Sequence, residues 1–353
     1  MAPTDPLRGQ GRDIDGIQYL RAVAALMVVA HHARHYFPQG DLWSNLGSRG
    51  VDIFFVISGF IMAHSTRGYR ADGDRAAQAF EFLLKRVIRV VPLYWLALLW
   101  TGKSSLFSGA QPPLDVLRDF LFVPHFHRVY TGSIFPYLVP GWTINYEMFF
   151  YAIFALSLLL GGRRFRFVAI VLLALVGLGF LDWKSAPAIF YTSSVLLEFL
   201  LGVVVYFLTR SSGRVLSRSM LGAILATAVV LLSFDNGDAV RGFADGPFAA
   251  VIVWVAVQWP WKARIHWLRS LGDASYSIYL FHLASFWVAG SLLHRAGLEA
   301  PTPLAIVVAL AVHMATAIAA GLLVHRFVER PLLRFLRRRL PRSNSQAASP
   351  ALD

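Results

Sequence analysis

The apolar positions of this chain run together instead of alternating with polar ones. Ile153–Leu160, Val168–Leu181 and Leu304–Val324 carry almost no charge. A helix on the surface of a soluble domain must show a polar face, so such runs call for lipid as solvent. Crossing a bilayer core takes about 20 apolar residues. That ruler predicts about ten spans, approximately at 17–37, 50–66, 81–101, 141–161, 165–182, 190–208, 219–234, 246–260, 273–293 and 303–325. The expected fold is an all-α polytopic membrane protein: an N-terminal segment 1–16, a transmembrane domain 17–327 and a basic tail 328–353. The tail ends in a Ser/Pro/Ala-rich stretch from Pro341, expected to be disordered.

Composition supports this reading. Of the 353 residues, 56% are hydrophobic and only 15% charged, against roughly 25% charged in soluble domains. Cysteine is absent, which excludes a disulfide scaffold. The hydrophobicity excludes a disordered chain. The net charge of +13 would by itself fit nucleic-acid binding, but its distribution argues otherwise. With the N-terminus placed in the cytoplasm, 25 of the 33 lysines and arginines fall on the cytoplasmic side. They cluster at Arg67–Arg89, Arg163–Arg166, Arg210–Arg218, Lys262–Arg269 and Arg326–Arg342. That is a positive-inside pattern with both termini cytoplasmic. It assigns the basicity to topology and anionic lipid, with no nucleic acid as partner. The first apolar stretch lacks a small-residue cleavage site and is expected to be retained. On the far side one long loop, 102–140, holds His125, His127 and Tyr130; loops of this length often bind or cover a site.

Ionisable residues inside spans are costly and count as functional candidates by default. Arg21 and His32 are eleven residues apart, so they share one helix face about 16 Å apart. Two readings fit them: a buried or interfacial histidine satisfied by its neighbours, or a passage with a cation at one end and a base at the other. Arg86 and Arg89 are neighbours on one face, either as a positive-inside anchor or as a fork for phosphate. Glu147 needs a partner, a proton or water, and Thr143 and Tyr151 flank it one turn away on either side. Asp52 and Ser58 lie in the second span, Glu198 in the sixth and His313 in the tenth; Ser275, Tyr279 and His282 line one wall of the ninth. An arginine pair, a glutamate and two histidines could converge as an acid/base site with an anion port. The chain has no G-x-S-x-G elbow, P-loop, HExxH or Rossmann fingerprint. His31 and His35 have metal-ligand spacing, but no third ligand is evident nearby, so no metal is expected.

Six stretches resemble the acyltransferase-3 family of integral membrane O-acyltransferases, in family order across nearly the whole chain. They are Ile17-Gln18-Tyr19-Leu20-Arg21-Ala22 running to His31-His32, Gly50 through Phe60, Lys85–Arg89 with Pro92-Leu93-Tyr94-Trp95, Trp142 through Tyr151, Ser275 through His282, and Val328-Glu329-Arg330-Pro331. The opening and the compact size are most similar to ExoZ-type exopolysaccharide acetyltransferases. The resemblance implies transfer of an acyl group, usually acetyl, from cytoplasmic acyl-CoA to a hydroxyl of a surface glycan or its lipid-linked precursor. It implies a multi-pass protein of the plasma (inner) membrane, with membrane lipids and polysaccharide assembly machinery as partners. Acyl-CoA would be a donor substrate, and no tightly bound cofactor is expected. The family's Arg-x₁₀-His element falls on Arg21 and His32, which makes His32 and not His31 the catalytic candidate. Its Arg-x-x-Arg element falls on Arg86 and Arg89, which with Arg21 would bind the donor's phosphates. Its glutamate falls on Glu147, which could orient a histidine as the third group of a triad does. His282 joins the catalytic candidates, and Asp52, Ser58 and Tyr279 the substrate contacts. No stretch resembles the SGNH-type module of larger members, so no transfer step through a second module is expected. The competing readings are a transporter or flippase for a glycan intermediate, an acyltransferase acting on a small-molecule acceptor, and a non-catalytic scaffold of an export complex.

Overall fold

The computed structural model describes residues 15–34, 45–69, 73–108, 112–211, 216–234, 237, 240–261, 264–298 and 302–339. Most of the expected N-terminal segment, the end of the tail and His35 lie outside them. Among the described residues there is helix and no strand. The helices are α1 (Asp15–Ala33), α2 (Gly50–Ser65), α3 (Arg75–Ser108), α4 (Pro113–Phe120), α5 (Gly141–Leu158), α6 (Arg164–Leu178), α7 (Ala186–Tyr191) and α8 (Leu196–Ser211). They continue with α9 (Arg218–Leu232), α10 (Arg241–Ala244), α11 (Gly246–Gln258), α12 (His266–Asp273), α13 (Ser275–Arg295), α14 (Pro303–Val324) and α15 (Arg330–Arg337).

Helix forms in each of the ten predicted stretches. Local chemistry sets several of their starts. Thr302 caps α14 by accepting from the Ala305 N–H, with Pro303 in the first turn, and Ser217 caps α9 through Met220. Four stretches are long and apolar enough to cross a membrane: Leu46–Ser65, Ala186–Arg210, Ser275–Arg295 and Pro303–Arg337. α9 and α11 are apolar but shorter. The apolar run of α1 is diluted by Gln18, Arg21, His31 and His32.

α1 packs against α2, α11, α12, α13 and α14, and α2 crosses α8 along much of its length. That crossing depends on Gly59 and Gly202. A β-carbon on Gly59 would strike the backbone of Phe199, and one on Gly202 the backbone of Val56; only glycine allows such an approach. The interior is filled by aromatic and branched side chains, among them Phe55, Phe60, Tyr94, Phe150, Phe154 and Phe199.

The loop before α5 is strapped onto one end of the bundle. The Trp95 indole N–H donates to the Phe120 carbonyl (2.9 Å), and the Tyr137 N–H to Asp119 Oδ2 (3.0 Å). Asp115 holds both Arg118 and Arg128 at 2.9 Å. His127 Nδ1 accepts from the N–H groups of Val129 and Tyr130. Burial pushes the Asp119 carboxyl up to about 6, with His125 Nε2 3.6 Å away.

Candidate active site

Five helices deliver polar side chains to one cavity of about 100 Å³. α1 contributes Arg21, α2 Ser58, α3 Arg86 and Arg89, α5 Thr143, Glu147 and Tyr151, and α13 Ser275, Tyr276 and Tyr279. Phe54, Phe55, Ile57, Ile61 and Met62 give it an apolar wall. The Arg86 and Arg89 side chains meet here because they sit one turn apart. α13 is pinned to α3 by the Tyr276 hydroxyl, which donates to the Val90 carbonyl at 2.8 Å.

Within the cavity Glu147 Oε1 accepts from Ser58 Oγ (2.9 Å) and from the Tyr151 hydroxyl one turn along α5. Arg86 donates to Ser65 Oγ (3.3 Å) and lies over the rings of Phe82 and Tyr151. Among the described residues, Arg21 hydrogen-bonds to Gln18 (3.4 Å) and to no other side chain. None of the three arginines forms a salt bridge with a carboxylate among the described residues. The site therefore presents three guanidinium groups and one carboxylate, an arrangement suited to an anion.

His32 and His282 do not line this cavity; they meet one turn beyond Tyr279, at 3.2 Å. Their contacts assign the tautomers of the neutral rings. His282 Nδ1 is 2.6 Å from the Tyr279 carbonyl. A carbonyl only accepts, so the proton is on Nδ1 and Nε2 is the acceptor. His32 Nδ1 lies 3.0 Å from the Val28 carbonyl, so it too carries the proton, shared between that carbonyl and His282 Nε2. The lone pair of His32 is then on Nε2. His282, fully buried, holds His32 in this tautomer as the carboxylate does in a catalytic triad. Tyr279 links the two regions. Its carbonyl orients His282, while its hydroxyl pairs with Thr143 Oγ1 (2.8 Å) and the Pro140 carbonyl (3.0 Å).

Two sequence expectations are corrected. Glu147 is held by Ser58 and Tyr151 and, among the described residues, bonds to no histidine. Asp52 is fully buried away from the cavity in a bidentate pair with Arg241, at 2.7 and 2.8 Å. Arg241 also donates to the Ser48 carbonyl and lies over Trp142. Arg49 and Asp245 pair beside it at 2.7 Å, and Glu198 is buried near Asp52 and Arg241. Arg241 was legible only as a loop cation, because its partner is 189 residues away. Tyr276, Arg241, Arg49 and Asp245 are among the polar residues that sequence reasoning did not single out.

Residues 14–324 match the acyltransferase domain of the acyltransferase-3 family. The chain is 35% identical to the exopolysaccharide production protein ExoZ of Rhizobium meliloti (strain 1021), over 82% of this chain and 90% of that one. It is 28% identical to the acyltransferase MdmB of Streptomyces mycarofaciens, over 95% of each. No solved structure matches it. An arginine-lined cavity on a helical membrane scaffold, and a family match over nearly the whole chain, place this protein in the acyltransferase-3 family.

Proposed function

We propose that this membrane acyltransferase moves an acyl group, most simply acetyl, from cytoplasmic acyl-CoA to a hydroxyl of an exopolysaccharide or its lipid-linked precursor. It would work in the plasma (inner) membrane with ten spans and both termini cytoplasmic, as the positive-inside pattern supports. The observation that carries the reading is the meeting of Arg21, Arg86 and Arg89 in one cavity that reaches Tyr279, whose carbonyl orients the His282–His32 pair. Likeness to a protein named for exopolysaccharide production supports a glycan acceptor. Polysaccharide assembly machinery is the natural source of that acceptor.

In this reading the three arginines hold the donor's phosphates, and the thioester arm extends past Tyr279 toward His32. His32 Nε2 takes the proton of the sugar hydroxyl as its oxygen attacks the thioester carbonyl. The C–S bond breaks, the ester forms, and the thiolate recovers the proton. His282 acts through His32 as a positioning residue. Glu147, with Ser58 and Tyr151, sets one wall and offsets part of the arginine charge.

Membranes containing the protein are incubated with acetyl-labelled acetyl-CoA and polymer precursor. Label in an alkali-labile ester on the glycan is expected. Precursor crossing the membrane without label would replace this reading with a transporter. Label on an added small-molecule acceptor, and not on glycan, would move the acceptor class. If neither label nor movement is found, a scaffold is left.

A further inference from the structure

α2 runs along the whole site and marks its levels. Val51, Phe54, Ser58 and Ile61 line the cavity at steps of three and four residues, so they share one face of the helix. At the arginine end Ser65 Oγ accepts from Arg86 (3.3 Å). Two turns away Ser58 donates to Glu147 (2.9 Å). One turn further the Phe54 ring meets the Tyr279 ring edge-on, with centroids 6.0 Å apart. Eleven residues separate Ser65 from Phe54, a rise of about 16 Å. α1 sets the same separation between Arg21 and His32.

The histidine pair lies beyond Phe54 and Tyr279. The Tyr279 ring is 6.1 Å from that of His282, which is 4.9 Å from the His32 ring. Phe54 packs against the apolar cluster that holds Phe286, whose ring is 5.6 Å from His282. Phe54 and Tyr279 line the cavity, and the two histidines do not. The two rings therefore divide the arginine end of the site from the imidazole end.

They are held in different ways. Tyr279 is fixed at both its hydroxyl and its carbonyl by hydrogen bonds. The half-buried Phe54 side chain has no polar atom and packs against all three apolar clusters of the interior. Resizing Phe54 alters the gap without breaking a hydrogen bond, whereas resizing Tyr279 would disturb the support of His282.

We propose that Phe54 selects the size of the acyl group: with Tyr279 it forms the throat between the arginines and His32, and its ring admits acetyl and rejects longer chains. This rests on the donor reading above. The acyl group leads the thioester arm, so each added methylene must fit beside the Phe54 ring or push it into the clusters that it joins. A close-packed interior resists such an intrusion. The arginines meet the same CoA phosphates whatever the acyl group, so they do not make this choice.

The test gives the full chain in lipid nanodiscs acetyl-, butyryl- or hexanoyl-CoA with the same polymer precursor, and measures kcat/KM for each. The wild type is expected to favour acetyl over hexanoyl. Phe54→Ala and Phe54→Leu should raise the hexanoyl-to-acetyl ratio about tenfold or more, alanine further than leucine, with inhibition by free CoA unchanged. An unchanged ratio in the folded variants overturns the selector and leaves the donor reading intact. A wild type that uses hexanoyl-CoA as readily as acetyl-CoA does the same. Phe54→Leu decides the matter if Phe54→Ala does not accumulate. If neither accumulates, Phe54 is a packing residue and the proposal is overturned. If the wild type transfers no acyl group from any of the three donors, the donor reading fails and the selector falls with it.

Discussion

Two regions of the bundle hold arginine and acid in the interior, and they are built on opposite rules. Around Asp52 each guanidinium has its carboxylate: Arg241 grips Asp52 at 2.7 and 2.8 Å, and Arg49 grips Asp245 at 2.7 Å. Asp52, Glu198 and Asp245 are fully buried. In the cavity the guanidiniums outnumber the carboxylate, stand half-buried and touch none of it. A buried charge with its partner in place locks a geometry and has nothing left for a ligand. A cation left without a counter-charge in contact is held ready for an anion that arrives later. Residue type is alike in the two regions; pairing, together with depth, separates scaffold from site.

The largest effect expected from breaking this contrast lies on the site side. His32→Ala should lower ester formation by about 10²- to 10⁴-fold at normal protein level, with His31→Ala clearly milder. Wild-type ester content in the His32 variant would remove it as the base.

On the scaffold side, Asp52→Ala strands Arg241 in the interior at a cost of about 3–5 kcal/mol. Folded protein should fall sharply, and Asp52→Leu combined with Arg241→Met should restore much of it. A normal unfolding midpoint with a raised acceptor KM would return Asp52 to the substrate.

Arg86→Ala and Arg89→Ala should do the reverse: each raises KM for acyl-CoA about tenfold and leaves the unfolding midpoint nearly unchanged. A stability loss like that of Asp52→Ala would erase the distinction between the regions.

The smallest effect is expected in the loop before α5, outside both. The Asp119 carboxyl sits at about 6, so the folded loop favours its neutral form. That contribution is complete below the ordinary carboxylate range and is lost as pH rises through about 6. The midpoint should therefore drop by about a degree or two between pH 5 and pH 7, and Asp119→Asn should flatten that difference. An identical pH slope in the variant would assign the dependence to other groups.

Much of this was legible one helix at a time. Hydropathy located helix at all ten stretches, because lipid-facing surface needs continuous apolar sequence. Periodicity put Arg86 beside Arg89 and set Glu147 one turn from Tyr151, which does bond to it. The family resemblance gave Glu147 a histidine to orient and Asp52 to the substrate. The structure instead holds Glu147 through Ser58 on α2 and Tyr151 on its own helix, and Asp52 through Arg241.

The sequence alone determined a helical, membrane-suited chain, its basic clusters and the short list of polar residues inside apolar stretches. All of these follow from interactions within a few residues and from the solvent each face must meet. Tertiary structure alone decided the pairs. His32 meets His282 across 250 residues, Asp52 meets Arg241 across 189, and Ser277 meets Glu329 across 52. Such pairs depend on which helices cross and how closely, and glycine contacts such as Gly59 with Phe199 set that distance. No local pattern encodes it, because it is the joint solution of many packed surfaces.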